Sequence, residues 1–372
     1  MAKLPTKKRT RKTPGAERTG GETPSQPKKV RIVSLFSGAG GLEIAACKTG
    51  KVEAIVSTDS NATFLSTVER NMPEHFPEVR HGVVAADARE LDGVTLLHSL
   101  GSTPDLVMGG PPCDDYTQTG KRRGVEGDKG PLIFRFLRLV EDLQPKCFVF
   151  ENVPNLVRQF RSIFDLFLNE STKIGYSHKW ALLKACDYGA PTGRTRVFVV
   201  GWQQPASNQA FRFPDPTHAD PTSCELLVQP GGPFEPFRLV RDVLDGLPDV
   251  RTPAGELFSN HMGRVHRAKT IEHLKTVPLG KQVRKSFRYR VPWNGLAQSL
   301  TAGQDDNAKS FLHPHFDREM SVREYARLHL FPDSWFFSGT HHNGIKQVAN
   351  SVPIPMGQAV LSAVIECQLT AH

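Results

Sequence analysis

A thiol, a carboxyl and two guanidinium groups lie at the ends of separate apolar runs of this sequence. Cys113 comes directly after two glycines and two prolines, and the prolines fix φ and stiffen the loop that presents the sulfur. Glu151 ends an apolar run, where partial desolvation raises the pKa of a carboxyl toward the value that an acid needs near neutral pH. Arg194 and Arg196 alternate before another apolar run, so their side chains should point to one side. Together these residues predict a nucleophile, an acid and cationic groups around one substrate.

Each of these residues also has an ordinary structural interpretation. A lone cysteine is most often buried and inert, and single arginines are more often members of surface ion pairs. The functional interpretation therefore depends on Cys113 being presented by a stiff loop and on the three kinds of group lying together.

A second set of residues is typical of an adenosine site. The run from Phe36 to Leu42, Phe-Ser-Gly-Ala-Gly-Gly-Leu, lets backbone amides approach a ligand at a helix N-terminus. Phosphate binding is disfavoured, because Glu43 stands where a dinucleotide fingerprint needs glycine and no P-loop Gly-Lys-Ser/Thr occurs. Asp59 ends the next apolar run, where it can accept both ribose hydroxyls, and Asp87 ends the third, where it can accept from an adenine amino group. One such aspartate would more often cap a turn, but the combination predicts S-adenosylmethionine.

Short apolar runs alternate with helix-like segments from residue 30 onward and must position these groups. The runs are Arg31 to Phe36, Val52 to Thr58, Val83 to Ala86, Asp105 to Met108, Cys147 to Phe150 and Val197 to Gly201. The helix-like segments are Leu42 to Lys48, Asn61 to Asn71, Pro131 to Leu143 and Val157 to Ile174. This cadence predicts an α/β fold with a doubly wound, mixed and mostly parallel sheet, whose ligands lie beyond the carboxyl ends of the strands.

The cadence stops after Trp202, where prolines become frequent, so a second and irregular domain should begin there. A chain of 372 residues is also longer than a single core usually grows. Near the end, Ser321 and Glu324 predict a capping box for a helix that ends before Pro332. Cys367 fits the apolar repeat of the last helix and is expected to pack in the core.

The net charge of +9 is concentrated in two places. Residues 1–30 hold nine Lys/Arg and two Glu, and residues 251–290 hold ten Lys/Arg and two Glu, so the rest of the chain is acidic. Two basic patches on an acidic body indicate a polyanionic partner. A solvated tail and a soluble face are the plainer alternatives for either patch taken alone.

The six cysteines form no C-x-x-C pair and no zinc-ligand spacing, so we expect a reduced intracellular protein without a structural metal. The basic N-terminus is not followed by an apolar stretch, and no run of about 18 apolar residues occurs. We therefore expect a protein that is neither secreted nor membrane-spanning.

The sequence resembles the DNA cytosine-5 methyltransferase family of the prokaryotic restriction-modification type. The matching motifs, in chain order, are Phe36-Ser-Gly-Ala-Gly-Gly, Asp59, Asp87, Gly-Pro-Pro-Cys113, Glu151-Asn-Val, Gly189-Ala-Pro-Thr-Gly-Arg-Thr-Arg196, Leu300-Thr-Ala-Gly and Asn350-Ser-Val-Pro. They span about residues 30–368. The chain departs from the family pattern at Ser34, where Asp is usual, and at Asp114, where Gln is usual. A carboxylate beside the thiol would tend to raise the pKa of Cys113.

The resemblance implies the roles of particular residues. Phe36 would stack on adenine, Asp59 would hold the ribose, and Asn350 and Ser351 would close the pocket. The implied cofactor-binding set is Phe36, Ser37, Gly38, Ala39, Gly40, Gly41, Leu42, Asp59, Ser60, Asp87, Ala88, Pro111, Asn350 and Ser351. The implied domains are a catalytic domain of residues 29–202 plus 340–372 and a target-recognition domain and hinge of residues 203–339. Residues 1–28 are expected to be a disordered basic tail, because they contain almost no large apolar residues.

The expected reaction is methylation of cytosine C5 in a specific double-stranded DNA sequence. Cys113 would add to C6, Glu151 would bind N3, and Arg196 with Arg194 would complete the site. The target nucleotide must be flipped out of the duplex. We expect phosphate contacts from Arg264, Arg267, Lys269, Lys281, Arg284, Lys285, Arg288 and Arg290, and we expect binding to weaken with salt.

Two alternatives of other kinds stay open. One is a transfer-RNA cytosine methyltransferase of the same fold, although about ninety residues between Trp202 and Trp293 favour DNA. The other is a non-catalytic DNA-binding regulator, which would not need Cys113. For the enzyme we expect a cytoplasmic, nucleoid-associated monomer with a companion restriction endonuclease. The basic tail is expected to be a phosphate-binding arm rather than a nuclear address.

Overall fold

The computed structural model describes residues 29–112, 132–203, 211–223, 227–228, 231–283, 288–301 and 310–369. The predicted disordered tail of residues 1–28 lies outside these ranges. Cys113, Asp114, Arg284 and Lys285 lie outside them as well.

A seven-stranded sheet forms the centre of the described chain. Its strands are β1 Val30–Leu35, β2 Val52–Asp59, β3 Arg80–Ala85, β4 Leu106–Gly109, β5 Cys147–Asn152, β6 Tyr176–Lys184 and β7 Thr195–Gln203. Their spatial order is β3-β2-β1-β4-β5-β7-β6. The first five strands pair in parallel, and β7 runs antiparallel to both β5 and β6. The predicted mixed, mostly parallel sheet is confirmed.

Helices cover both faces of this sheet because successive strand residues point to opposite sides. The helices between the strands are α1 Gly41–Cys47, α2 Ala62–His75, α3 Gly93–Leu100, α4 Leu132–Leu143, α5 Asn155–Arg158 and α6 Arg161–Lys173, and the last helices of the chain are α11 His341–Asn350 and α12 Ile354–Val364. On β1, Ile32 belongs to one buried apolar cluster and Val33 to another. The first cluster includes residues of α1 and α12, and the second includes residues of α4 and α6.

The helix α3 and the strand β6, both between β1 and β7 in the chain, were not predicted, and one predicted helix is divided. The helix α3 is only eight residues long and depends on its N-cap, since the Asp92 side chain accepts from Thr95 N. The strand β6 lies at the sheet edge, and its burial does not alternate with a two-residue period. The segment Val157 to Ile174 was predicted as one helix, but the chain breaks between α5 and α6.

The region that follows β7 contains short elements. They are β8 His218–Ala219, β9 Glu235–Pro236, α7 Arg241–Leu244, α8 Pro253–Glu256, α9 Ala268–Lys275, β10 Gln282–Val283, β11 Arg288–Arg290, β12 Ser310–Leu312 and α10 Val322–Leu328. The predicted capping box is confirmed, because Ser321 Oγ accepts from Glu324 N and the Glu324 carboxylate accepts from Ser321 N. Buried residues of this region, such as Tyr289 and Phe311, belong to the same apolar cluster as α1.

The C-terminal helices belong to the core. A Cβ at Gly357 of α12 would lie 3.1 Å from the Ala45 Cβ of α1, so these two helices pack closely. The stretch His341–Leu369 is long and apolar enough to cross a membrane by length and composition, but 67% of its most apolar window is buried inside the protein. We therefore interpret it as a core element. Cys367 packs against the same cluster, as predicted.

Candidate active site

The turn after β1 has the backbone conformation of a ligand-binding loop. Gly38 and Gly40 adopt positive φ angles of 57° and 85°, which favour glycine. Phe36 also has a φ of 57°, a strained conformation for a bulky residue and one that clusters at ligand sites. Its ring is half-buried, and a Cβ added at Gly38 would meet no atom within 4 Å. The turn thus presents an aromatic face beside open space.

The ends of β1 and β2 are tied together at this turn. Asp59 Oδ2 accepts from Gly38 N at 2.9 Å, and Ser37 Oγ accepts from Thr58 N at 3.1 Å. Ser60, next along the chain, is exposed. The predicted carboxylate of β2 therefore lies directly at the glycine turn.

The C-terminal segment reaches the same turn from behind. A Cβ at Gly41 would lie 2.9 Å from Val352 O and 3.2 Å from Ser351 Cβ, so glycine is required for this close approach. Ala39 and Leu42 are buried there, whereas Asn350 is exposed. The structure therefore brings the Asn350-Ser351 motif and the glycine turn together.

Asp87 lies beyond the end of β3, where it already has a partner. Arg89 donates to both of its carboxylate oxygens, at 3.0 and 2.6 Å, and these hydrogen bonds hold the pKa of Asp87 below its usual value. Ala88 is buried, and its carbonyl accepts from Arg135 Nε at 2.8 Å. A contact from Asp87 to an adenine amino group would have to share this carboxylate with Arg89.

Glu151 and Arg196 meet at the end of β5. The distance from Arg196 Nε to Glu151 Oε1 is 2.9 Å, and both side chains are about nine-tenths buried. Burial raises the pKa of Glu151, and the guanidinium groups of Arg196 and Arg194 oppose this shift without cancelling it. The arrangement is a desolvated carboxyl, which keeps its proton to a higher pH than an ordinary glutamate does, beside a fixed cation.

The loop that leads to Cys113 packs against this carboxyl. A Cβ at Gly110 would lie 2.6 Å from Glu151 Oε2, so a larger residue would displace the acid. Asn152 Nδ2 donates to Pro111 O at 3.2 Å, and Pro111 itself is buried. The start of the loop is thus anchored by β5, since Gly110 and Pro111 both contact the C-terminal end of this strand.

Arg194 lies deeper than Arg196. It is 1% exposed, and its NH1 donates to Leu300 O at 3.0 Å. Gly193 N donates to Ala297 O at 2.9 Å in the same place. Arg194 therefore links the start of β7 to the Leu300-Thr motif of the second region.

The cations predicted to contact DNA differ in exposure. Arg264, Arg267, Lys269 and Lys281 are exposed, and Arg288 is half-buried. Arg264 NH1 also lies 3.5 Å from Glu319 Oε2.

Arg290 corrects our expectation, because it is 6% exposed and turned inward. Its donors bind the carbonyls of Val277, His313, Phe316 and Leu274 and the carboxylate of Asp317 at 2.6–3.0 Å. A guanidinium has five N–H groups, so these five bonds use all of them. Arg290 therefore holds the second region together and has no donor left for a phosphate.

Sequence reasoning missed Trp335. Its indole is fully buried, its Nε1 donates to Ala39 O at 3.2 Å, and a Cβ at Gly40 would lie 3.0 Å from its Cζ2. Trp335 therefore supports the glycine turn from the second region. A single tryptophan in the irregular segment after Pro332 carries no periodic signal that would have predicted this contact.

The sequence also matches a family model and the sequences of known proteins. The family model described as C-5 cytosine-specific DNA methylase matches residues 30–366. The Type II methyltransferase M.AquIA of Picosynechococcus is 31% identical over 236 residues, covering 60% of this chain and 91% of that protein. The Type II methyltransferase M.SacI of Streptomyces achromogenes is 28% identical over 383 residues, covering 90% and 92%.

Solved structures share the fold. The Entamoeba histolytica methyltransferase EhMeth superposes with a TM-score of 0.63 at 17% identity, covering 91% of this chain and 98% of that one. The S. pombe Dnmt2 methyltransferase gives a TM-score of 0.58 at 16% identity, covering 91% and 99%.

Proposed function

The chain belongs to the C-5 cytosine-specific DNA methylase family, and from this premise we propose that it transfers a methyl group from S-adenosylmethionine to C5 of cytosine within a specific double-stranded DNA sequence. The enzyme class, a DNA (cytosine-5-)-methyltransferase, follows from the family and from its Type II relatives. The residue roles, the DNA contacts and the biological setting below are our proposals.

One observation carries the assignment of the catalytic site. Glu151 and Arg196 form a buried pair, and Gly110 and Pro111 pack against the same strand end. Two residues of chain span about 7 Å at most, so a Cys113 that follows Pro111 is within reach of this pair. This short connection supports the proposal that a thiol, an acid and a cation act on one substrate.

The residues at the glycine turn fit S-adenosylmethionine. The half-buried ring of Phe36, the open space beside Gly38 and the Asp59 carboxylate match the flat base and the ribose of an adenosine. Asp87 with Ala88 would face the adenine edge, and Asn350 and Ser351 would close the pocket. When bound, this cofactor supplies an electrophilic methyl group.

We assign the chemical steps to side chains of this chain. The Cys113 thiolate adds to C6 of the cytosine, and the electron pair of the C5–C6 bond shifts through the ring while Glu151 shares its proton with N3. Arg196 holds O2, and Arg194, which donates to Leu300 O, anchors the chain just before Arg196. After C5 takes the methyl group, loss of the C5 proton to a base or water restores the double bond and expels the thiolate.

The target base has to leave the duplex stack, at a cost of a few kcal/mol. We propose that phosphate contacts offset this cost and that they come from the exposed cations Arg264, Arg267, Lys269 and Lys281 and from the half-buried Arg288. Arg284 and Lys285 stay in the predicted set, and Arg290 is removed from it.

We also propose the biological setting. The relatives named Type II methyltransferases support a prokaryotic modification enzyme. We propose further that it acts as a cytoplasmic, nucleoid-associated monomer beside a companion restriction endonuclease. The division into a catalytic domain of residues 29–202 plus 340–372 and a target-recognition domain with hinge of residues 203–339 is kept as a proposal. The packing of α12 on α1 supports its discontinuous part.

The test combines bisulfite sequencing with a single substitution. Unmethylated plasmid DNA incubated with the protein and S-adenosylmethionine should acquire protected cytosines at one recurrent sequence, and Cys113→Ser should abolish this protection. Transfer RNA serves as the competing substrate. Absence of protected cytosines in plasmid DNA, or equal protection by Cys113→Ser, would contradict the proposal.

A further inference from the structure

A buried carboxyl that the proposed reaction does not use lies under the glycine turn. Glu43, in the first turn of α1, has no exposed surface. Ser57 Oγ of β2 donates to Glu43 Oε1 at 3.3 Å, and the same hydroxyl lies 3.1 Å from His81 Nε2 of β3. The Glu43 side chain is therefore held beneath the strand ends that carry Phe36 and Asp59.

Serine hydroxyls surround this carboxyl. Ser34 pairs with Ser57 across β1 and β2, and Ser37 lies in the turn itself. Burial raises the pKa of Glu43, and the nearby hydroxyls of Ser37, Ser34 and Ser57 oppose this shift without cancelling it. The leading opposing groups at Glu43 are thus neutral hydroxyls, whereas at the buried acid Glu151 they are the guanidinium groups of Arg196 and Arg194.

Two polar atoms of this cluster lack a hydrogen-bond partner among the described residues. Glu43 Oε2 and Ser34 Oγ are both buried without a hydrogen bond of standard geometry to any described residue. Burial lowers the pKa of His81 to about 4, so its imidazole is neutral near pH 7 and does not compensate a carboxylate. A cation that arrives nearby favours loss of the Glu43 proton, because it stabilises the charged form of the buried carboxyl.

Resting on the proposed function, we propose that Glu43 is a positioning residue for the cofactor turn and that its buried carboxyl makes this chain prefer the positively charged methyl donor to the neutral product. S-adenosylmethionine carries one more positive charge than S-adenosylhomocysteine. Ser37 transmits the effect, because its hydroxyl joins the turn to Thr58 N and to Ser34 O. Release of the spent cofactor is then aided by loss of its charge.

Equilibrium binding to the full-length protein tests this inference. We expect Glu43→Gln to weaken S-adenosylmethionine binding about tenfold by calorimetry and to change S-adenosylhomocysteine binding less than twofold. Glu53→Gln, an exposed glutamate on β2, is the matched control and should change neither dissociation constant. Equal losses for both ligands, or no loss for either, would overturn the proposal.

A rescue variant separates charge from packing. Adding Ser34→Asp to Glu43→Gln places a carboxyl on the adjacent buried position and should return the ratio of the two dissociation constants to within about threefold of the wild-type value. A ratio that stays at the Glu43→Gln value would overturn the electrostatic explanation.

A measurement on the unaltered protein keeps the proposal testable if Glu43→Gln does not fold. Sinefungin carries an ammonium group near the sulfonium position, so the wild-type protein should bind it and S-adenosylmethionine at least as tightly as S-adenosylhomocysteine. Tighter binding of the neutral product by tenfold would overturn the charge preference. A wild-type protein that binds none of the three would instead contradict the proposed function.

Discussion

The carboxyl ends of the strands in the seven-stranded sheet and the basic segment of residues 251–290 position charged groups in different ways. At the strand ends, strand register determines the position of each side chain, and Glu151 meets Arg196 because β5 pairs with β7. The basic segment has only short elements, so neighbouring cations point in unrelated directions. Arg267 is exposed, whereas Arg290 is buried.

The difference shows what a buried cation does in each region. Arg196 pairs with a single acid, Glu151, and opposes the rise in its pKa that burial causes, in a site that the proposal assigns to catalysis. Arg290 binds four carbonyls and one carboxylate, and thereby joins the end of α9 to β11 and to the chain after β12. A buried arginine therefore belongs to the proposed catalytic site in one region and stabilises the fold in the other.

The largest expected effect comes from Glu151→Gln. The amide keeps the shape of the side chain but cannot supply the proton to N3, so single-turnover methyl transfer should fall about 10²- to 10⁴-fold. Glu53→Gln is the control and should retain the wild-type rate, because Glu53 is exposed. A Glu151→Gln rate within threefold of wild type would show that the catalytic region does not lie at the carboxyl ends of the strands.

The pH dependence of the same reaction sharpens this test. Because burial raises the pKa of Glu151, its carboxyl keeps the proton to a higher pH than an ordinary glutamate does. The acid form is present below the raised pKa and is lost as the pH rises through it, so the wild-type rate should decline on that side. Glu151→Gln should lack this decline, and the same decline in both proteins would assign it to another group.

The residues at the carboxyl ends of the strands were predictable from the sequence because strands have a two-residue period and end at recognisable polar residues. Asp59, Glu151 and Arg196 were identified in this way. The edge strand β6 escaped prediction because its buried, half-buried and exposed residues do not alternate with a two-residue period. Glu43 is identified from the sequence only as a missing glycine, since burial of its carboxyl depends on how α1 packs against the strands of the sheet.

The exposure of the basic segment was not predictable. No helical or strand period relates Arg264, Arg267 and Arg290, so composition alone assigned all three to DNA. The carbonyls that bind Arg290 belong to residues 274–316, and only the fold brings them together. The same limitation applies to Trp335, which reaches the glycine turn from 296 residues away.

The next largest effect is a loss of stability in Arg290→Ala. Truncation leaves buried carbonyls without donors, and we expect the free energy of unfolding to fall by about 3 kcal/mol. Urea denaturation followed by circular dichroism measures this change. Arg267→Ala is the control and should unfold at the wild-type urea concentration. An Arg290→Ala protein of wild-type stability that binds DNA weakly would instead return Arg290 to the DNA-contact set.

The smallest expected effect is that of Arg267→Ala on DNA affinity. Arg267 is exposed at the N-terminus of α9, so its loss should remove one phosphate contact and weaken binding severalfold for specific and unrelated duplexes alike. The slope of log K against log salt should become shallower by about 0.9. Fluorescence anisotropy at several salt concentrations measures both quantities, with Lys48→Ala, which removes an exposed cation at the end of α1, as a charge-matched control. If only the cognate duplex lost affinity and the salt slope stayed unchanged, Arg267 would read a base rather than a phosphate, and the basic segment would carry specificity at a position where we expect only attraction.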